Sequence, residues 1–500
     1  MMHRGLERSA EQFGDRVAVL AGTDQWTFAE LDVGSNAVAA HLVAHGVGRG
    51  DRVAMMLTNR PEFVTTVHGI SKVGAAAVSL SPAWKAMEVE HALTLTRPSY
   101  AIADGDGAAL LAERLGNERV IDLDEPGALD AEGADDRVRP SGDGASEDDE
   151  SVLVFSSGTT GLPKAVRHTH RSIGVATKHW CDALGLGPDD RFQIATPPSH
   201  ILGLLNLLAA ASAGACVRLH VRFDLDAVLR CIASEQMTLE MAVAPIALAI
   251  ANHPKLEEFD LSSLRYIMWG ATPVTESVAA LVTQRTGVRW LPAYGASEVP
   301  VITCNPVHDP SSWRLDSAGL PPAGIELRVV DLDTGEVLPC GETGEVQVKS
   351  PSAMAGYLPD EANDDAFVDG WYRTGDVGWL EPEGWVHLTD RSKEMIKVSG
   401  FQVAPAEIEA VLHGHASVVD CAVFGVPDER AGEVPVAAVE LDLACPVSTD
   451  ELRGLVADTL ATYKQLRHVV VVDTIPRLPS GKVLRRALRD DWLSASRRQS

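Results

Sequence analysis

The sequence predicts an α/β protein: a large N-terminal domain of α/β sheet subdomains plus a β-rich subdomain, then a small α+β C-terminal domain. Three observations predict it. Short apolar runs alternate with helical patterns over the first 120 residues, short alternating strands appear between 323 and 350, and a unit with its own helices and strands opens near 390. A chain of 500 residues with 45% apolar and 23% charged residues has globular composition and enough material for more than one core. The expected division is 1–389 and 390–500.

Taken in order, Arg52 to Leu57 reads as a buried strand, Glu62 to Gly74 as a helix and Ala75 to Leu80 as the next strand. Such strand–helix–strand alternation points to a mostly parallel sheet. Residues 132–150 carry eight acids against two arginines among Gly, Ser and Pro, which reads as a solvated loop. Ser151 to Phe155 is a strand that runs straight into a Gly/Ser/Thr loop. The most apolar stretch, Ile201 to Val217, contains Asn206, Ser212 and two glycines and is too short to span a membrane, so a buried helix is expected. Glu326–Val330 and Gly344–Val348 are the alternating strands of the β-rich part. Beyond 390, Pro405 opens a helix over Ala406–Leu412, strands follow at Val418–Phe424 and Val434–Leu441, and a helix at Thr449–Leu460.

Lys plus Arg total 43 and Asp plus Glu 70, a net charge of −27. That balance argues against nucleic acid and anionic membrane surfaces as partners. Only ten of the 43 cations are lysine, at 72, 85, 164, 178, 255, 349, 393, 397, 464 and 482. Where lysine is scarce, the sites that keep one are informative, because a compact ammonium is not interchangeable with a guanidinium. The seven cysteines are widely spaced with no C-x-x-C pair, and residues 1–16 show no apolar signal segment; a reducing cytoplasm is the expected location.

Ser156-Ser157-Gly158-Thr159-Thr160-Gly161-Leu162-Pro163-Lys164 follows a predicted strand. Two glycines permit tight turns that aim successive N–H groups at one anion, four hydroxyls add donors, and Lys164 adds charge. The loop suits a polyphosphate. It is not a Walker A loop, since the spacing is G-x-x-G-x-x-K and Ala165 stands where a metal-binding hydroxyl would be. At this point the chain resembles the acyl-adenylate-forming superfamily of acyl-CoA synthetases, luciferases and peptide-synthetase adenylation domains. Four further segments match that family's motifs in order: Tyr294-Gly295-Ala296-Ser297-Glu298, Tyr372-Arg373-Thr374-Gly375-Asp376, Asp390 to Lys397, and Pro479 to Arg485. The resemblance spans essentially the whole chain, and four of the ten lysines (164, 393, 397, 482) fall inside these segments.

The resemblance implies an AMP-forming acid–CoA ligase with ATP, Mg2+ and CoA as its small-molecule requirements. It implies Tyr294 as the flat face for adenine, with Gly270, Ala271 and Gly295 lining the same site. Ser297 would donate to the α-phosphate, where many relatives have Thr. Glu298 is a hard oxygen ligand suited to Mg2+, which binds through one or two carboxylates plus substrate phosphates. Asp376 can accept both ribose hydroxyls and Arg391 can pair with ribose or phosphate oxygens. Lys482 would reach the attacking carboxylate and the α-phosphate, where an ammonium stabilises charge that builds in the displacement. Catalytic roles therefore fall to Lys482, Glu298 and His200. No nucleophile–base pair is evident, and none is required: a carboxylic acid with a pKa of about 4–5 is already ionised at neutral pH.

In relatives that activate amino acids, an Asp near position 200 holds the substrate ammonium. Here His200 is followed by Ile201 and Leu202, so α-amino acids are disfavoured, and the resemblance makes His200 a gate of the acid pocket. Trp269, Ala293, Val299 and Pro300 are expected to line the pocket, with Trp269 shortening it; aromatic or short-to-medium aliphatic acids follow. Val398 to Glu407 is very like the coumarate-type and fatty-acid ligases. There Gly400 leaves room for a pantetheine arm, the small domain rotates about Lys393, and Lys397 and Gln402 serve the thioester-forming state. Lys464 and Arg467 read equally as CoA phosphate contacts or as surface ion pairs. Three alternatives stay open: a carrier-protein phosphopantetheine as acceptor, luciferase-type oxidation, and a non-catalytic nucleotide-binding protein.

Overall fold

A computed structural model describes residues 1–129, 145–156, 163–270, 276–391, 394–398, 401–428, 430–442, 444–477 and 482–499. The seven-stranded sheet runs in the order Gly356–Leu358, Lys164–Thr169, Glu150–Ser156, Ala76–Ser79, Arg52–Met56, Tyr100–Ala103, Val120–Asp122. Its last five strands are mutually parallel and its first two are added antiparallel. Central strands buried on both faces need continuous apolar runs, and Val53–Met56 and Ala76–Ser79 are buried throughout. The helix between them, Pro61–Lys72, opens on Pro at its first turn, where no N–H is needed.

Two further four-stranded sheets complete the large α/β part: Asp24–Thr27, Val17–Ala21, Cys216–Leu219, Arg191–Ile194, and Leu239–Ala242, Tyr266–Trp269, Trp290–Tyr294, Thr303–Cys304. Between the hairpin at 17–27 and the first sheet, helix Phe28–Ala44 is started by a capping box in which Thr27 and Glu30 satisfy each other's backbone N–H groups. The apolar stretch 201–217 departs from expectation. The helix covers only Ile201–Ala213; Gly214, at φ +73, turns the chain, and Cys216–Leu219 enters a sheet. Glycine is required there because the turn is left-handed and a Cβ would sit 2.7 Å from the Phe13 ring.

Expected strands at 326–330 and 344–348 are present as Glu326–Val330 and Gly344–Lys349, in an antiparallel sheet with Trp371–Leu380, Phe367–Val368 and Val386–Arg391. Past 390, helices Pro405–His413 and Thr449–Thr459 pack on a sheet containing Val418–Asp428 and Gly432–Leu441. Two apolar clusters within residues 396–492 are built from that part of the chain alone. Asp390 Oδ2 accepts the Ala406 N–H at 3.0 Å, tying the end of the β-rich sheet to the first turn of the following helix. Among the described residues no helix is long and apolar enough to cross a membrane.

Candidate active site

Ser156 and Lys164 are register partners where strands Glu150–Ser156 and Lys164–Thr169 meet, so the two ends of the Ser156–Lys164 segment are pinned side by side. Ser157, Gly158, Thr159, Thr160 and Gly161, between them, lie outside the described residues. The Lys164 ammonium stands 4.9 Å from the centroid of the Tyr357 ring, a cation–π distance.

Tyr294 ends its strand, and a tight loop follows. Ala296 N–H donates to Val299 O at 3.0 Å and Ile302 N–H to Tyr294 O at 2.9 Å. A Cβ at position 295 would sit 2.1 Å from the Pro300 carbonyl oxygen, so only glycine permits the loop. The loop presents Ser297 and Glu298. Ser297 O accepts from His168 Nε2 at 2.8 Å, and Glu298 O accepts the Met354 N–H at 2.8 Å. Burial pushes His168 down to about 4, so the ring is neutral, with its proton on Nε2 and Nδ1 facing Ser172 Oγ at 3.1 Å.

Two tyrosine–carboxylate pairs form the floor. Tyr294 Oη donates to Asp376 Oδ2 at 2.6 Å, and Tyr357 Oη donates to Glu298 Oε1 at 2.7 Å. Both carboxylates are buried. Burial, aided by the Glu298 charge, lifts Tyr372 well above the usual phenol range; its hydroxyl lies 3.4 Å from that of Tyr357. Asp376 is held through Thr374 Oγ1, which accepts its N–H at 3.0 Å, and is the register partner of Arg391, whose side chain lies outside the description. Glu298 Oε2 has no hydrogen-bond donor among the described residues. Those residues contain no cluster of three or more His, Cys, Asp or Glu suited to a metal.

His200 caps helix Ile201–Ala213 in an extended conformation. Burial, and secondarily the nearby Lys482 ammonium, lower its pKa, so the imidazole is neutral. The charge of Lys482, 282 residues further along the sequence, thus acts on His200. Ile201, Leu202, Ala293 and Tyr294 pack against one core cluster, which contains Met268 and Val299. Trp269 does not join them. It is 1% exposed, packs on Trp290 with ring centroids 4.9 Å apart, and belongs with Ile267 and Val278 on the other side of the sheet. Side chains alternate along a strand, so Met268, not Trp269, faces the His200 side. Gly270 abuts Met268, where an added Cβ would meet Sδ at 3.3 Å, and Pro300 is buried.

Lys397 and Gln402 pair on a hairpin of the C-terminal sheet, with Lys397 exposed and its N–H bonded to Glu433 Oε2 at 3.0 Å. Lys464 ion-pairs with Glu407 and lies 5.7 Å from the Tyr463 ring. Ala271, Lys393, Gly400 and the Gln402 side chain fall outside the described residues. Sequence reasoning had not singled out Tyr357, His168 or Met268. A lone tyrosine or histidine on a strand carries no signal until the fold shows what it touches.

Residues 6–358 match the sequence model of a family described as AMP-binding enzyme, and 407–482 match that of the AMP-binding enzyme C-terminal domain. A rice (Oryza sativa subsp. japonica) protein named 4-coumarate–CoA ligase-like 9 is 35% identical, over 97% of this chain and 91% of its own. The structure superimposes on ATP-bound MatB from Rhodopseudomonas palustris with a TM-score of 0.90 at 27% identity, covering 98% of this chain and 99% of that one. It also superimposes on the anthranilate CoA ligase AuaEII in complex with anthranoyl-AMP, with a TM-score of 0.89 at 27% identity over 99% and 98% of the two chains.

Proposed function

The chain belongs to the AMP-binding enzyme family, and from that premise we propose that it is an AMP-forming acid–CoA ligase acting on an aromatic carboxylic acid. The observation that carries the reading is that Lys482, from the far end of the chain, brings its charge near enough to His200 to lower its pKa, while Ile201 and Leu202 after His200 pack against an apolar cluster. A cation there meets the one charge an aromatic acid brings.

In the first half-reaction a carboxylate oxygen of the acid bonds to the α-phosphorus of ATP. The bond from that phosphorus to the bridging oxygen breaks, and pyrophosphate leaves. The acid is already an anion, so the chain's work is placement and charge neutralisation. Lys482 neutralises the carboxylate and α-phosphate oxygens as they approach; Tyr294 carries the adenine; Asp376, fixed by the Tyr294 hydroxyl, accepts from the ribose. Lys164, Ser156 and the 157–161 segment hold the polyphosphate, and Ser297 donates to the α-phosphate. Glu298 fits Mg2+, since one oxygen is engaged by Tyr357 and the other has no described donor. Bound there, the ion would offset phosphate charge. In the second half-reaction the CoA sulfur bonds to the acyl carbon, the bond to AMP breaks, and the thiol proton leaves to solvent or AMP. Neutral His200 borders the acid, and Met268 takes the pocket-shaping place expected of Trp269. Residues 390–500 act as the moving unit about Lys393, bringing Lys397, Gly400 and Gln402 to the thioester state. The seven cysteines are all free thiols, in keeping with a cytoplasmic location.

ATP–pyrophosphate exchange against a panel of cinnamic, benzoic, short aliphatic and α-amino acids tests the reading. Exchange with aromatic acids is expected, and formation of a thioester with free CoA, read by mass, distinguishes CoA from a carrier protein as acceptor. Lys482→Ala should lower exchange about 100-fold or more while sparing thioester formation from supplied acyl-AMP. Absence of acid-dependent exchange across the panel would sink the proposal.

A further inference from the structure

Tyr357 lies on the edge strand Gly356–Leu358, paired with Lys164–Thr169 so that Tyr357 faces Val166 in register. Its backbone is locked from the other side by Asn363, whose Oδ1 accepts the Tyr357 N–H at 2.7 Å and whose Nδ2 donates to Tyr357 O at 3.1 Å. The residue is 8% exposed. Two of its parts meet two charged groups that come from distant segments of the chain. The hydroxyl donates to Glu298 Oε1 at 2.7 Å, and the ring lies 4.9 Å from Lys164 Nζ. Phenylalanine would fill the same volume, so packing alone does not account for the hydroxyl. A carboxylate anchored at one oxygen is held in one rotamer with the other oxygen presented, and a ring face draws an ammonium by its quadrupole.

We infer that Tyr357 is a positioning residue for the polyphosphate end of the site: its hydroxyl orients the Glu298 carboxylate toward the metal, and its ring sets the Lys164 ammonium toward the phosphates. The inference rests on the roles given to Glu298 and Lys164 above. The two parts are separable, because Tyr357→Phe removes only the hydroxyl and Tyr357→Leu removes the ring as well.

The test uses the full chain and two binding measurements. Mn2+ binding in the presence of a non-hydrolysable ATP analogue is counted by electron paramagnetic resonance, and tripolyphosphate binding in EDTA is measured by calorimetry. Tyr357→Phe should weaken Mn2+ binding about tenfold or more, as loss of an outer-sphere partner of a metal ligand does, and leave metal-free tripolyphosphate binding within about twofold. Tyr357→Leu should also weaken tripolyphosphate binding about threefold or more. Mn2+ binding by Tyr357→Phe equal to that of the unaltered protein overturns the hydroxyl's role. Equal tripolyphosphate binding by the Phe and Leu variants overturns the ring's role. Glu298→Gln and Lys164→Ala separate the two levels: if they abolish Mn2+ and phosphate binding while the Tyr357 variants do not, this inference fails and the ligase reading stands. If they too leave binding unchanged, the reading of the site itself fails.

Discussion

Glu240 shows how one residue can carry a pH dependence. It sits fully buried on strand Leu239–Ala242, with Gln193 Nε2 donating to its Oε2 at 2.7 Å and His220 Nε2 donating to Gln193 Oε1 at 2.6 Å. Burial raises its pKa from 4.5 to about 8. The folded protein thus holds a proton that the unfolded chain releases near 4.5. The associated stability is fully present below that pH and is lost as pH rises to about 8, an effect on the order of a few kcal/mol. Glu240→Gln keeps the shape without the titration. Its melting temperature should match that of the unaltered protein at pH 5 and exceed it at pH 8.5; equal differences at both pH values would refute this. At this scale, the sequence nominates Tyr294, Glu298, Asp376 and Lys482 because each stands in a motif. Trp269 was misplaced because a motif gives a position on a strand, whereas the face is decided by which of two cores the strand separates. Tyr357 stands in no motif that the sequence reading had used.

Among elements, the C-terminal helix Arg485–Gln499 begins three residues after Lys482, and its first residue is the anchor. The Arg485 guanidinium donates to both oxygens of Glu409 at 2.8 and 2.9 Å and to Val423 O at 2.9 Å, and it pairs with Glu394 within the Asp390–Lys397 segment. One cation, three residues after Lys482, thus joins helix Pro405–His413, strand Val418–Asp428 and the 390s segment. Arg485→Ala would leave the half-buried carboxylates of Glu394 and Glu409 without this cation and should cost about 2–3 kcal/mol. The neighbouring Arg486→Ala, 75% exposed, should fall within about 0.5 kcal/mol. Urea denaturation of the two variants checks this; equal midpoints would contradict it. The helices and strands here were readable from periodicity and the opening proline, as was the helix that opens the 201–217 run, whereas the end of that run was not. A helix and a buried strand look alike in apolar composition, and the break depended on Gly214 meeting Phe13 in three dimensions.

Across the whole molecule, the −27 charge opposes the approach of ATP and CoA, both polyanions. Raising ionic strength from about 0.01 M to 0.1 M shortens the screening length from about 30 Å to about 10 Å. The association rate of ATP, measured by stopped flow, should therefore rise about twofold or more, the reverse of a basic nucleotide-binding protein; a fall would mean that local cations outweigh the global field. Sequence alone determined the α/β class, the order of the motifs, and the retention of lysines at 164, 393, 397 and 482, because composition, periodicity and motif spacing are properties of the chain in one dimension. Tertiary structure alone decided that the charge of Lys482 acts on His200, that Tyr294 holds Asp376, and that Tyr357 stands between Lys164 and Glu298. Charge neutralisation and hydrogen bonding act over a few ångströms, and only the packing of sheets brings residues hundreds of positions apart within that range.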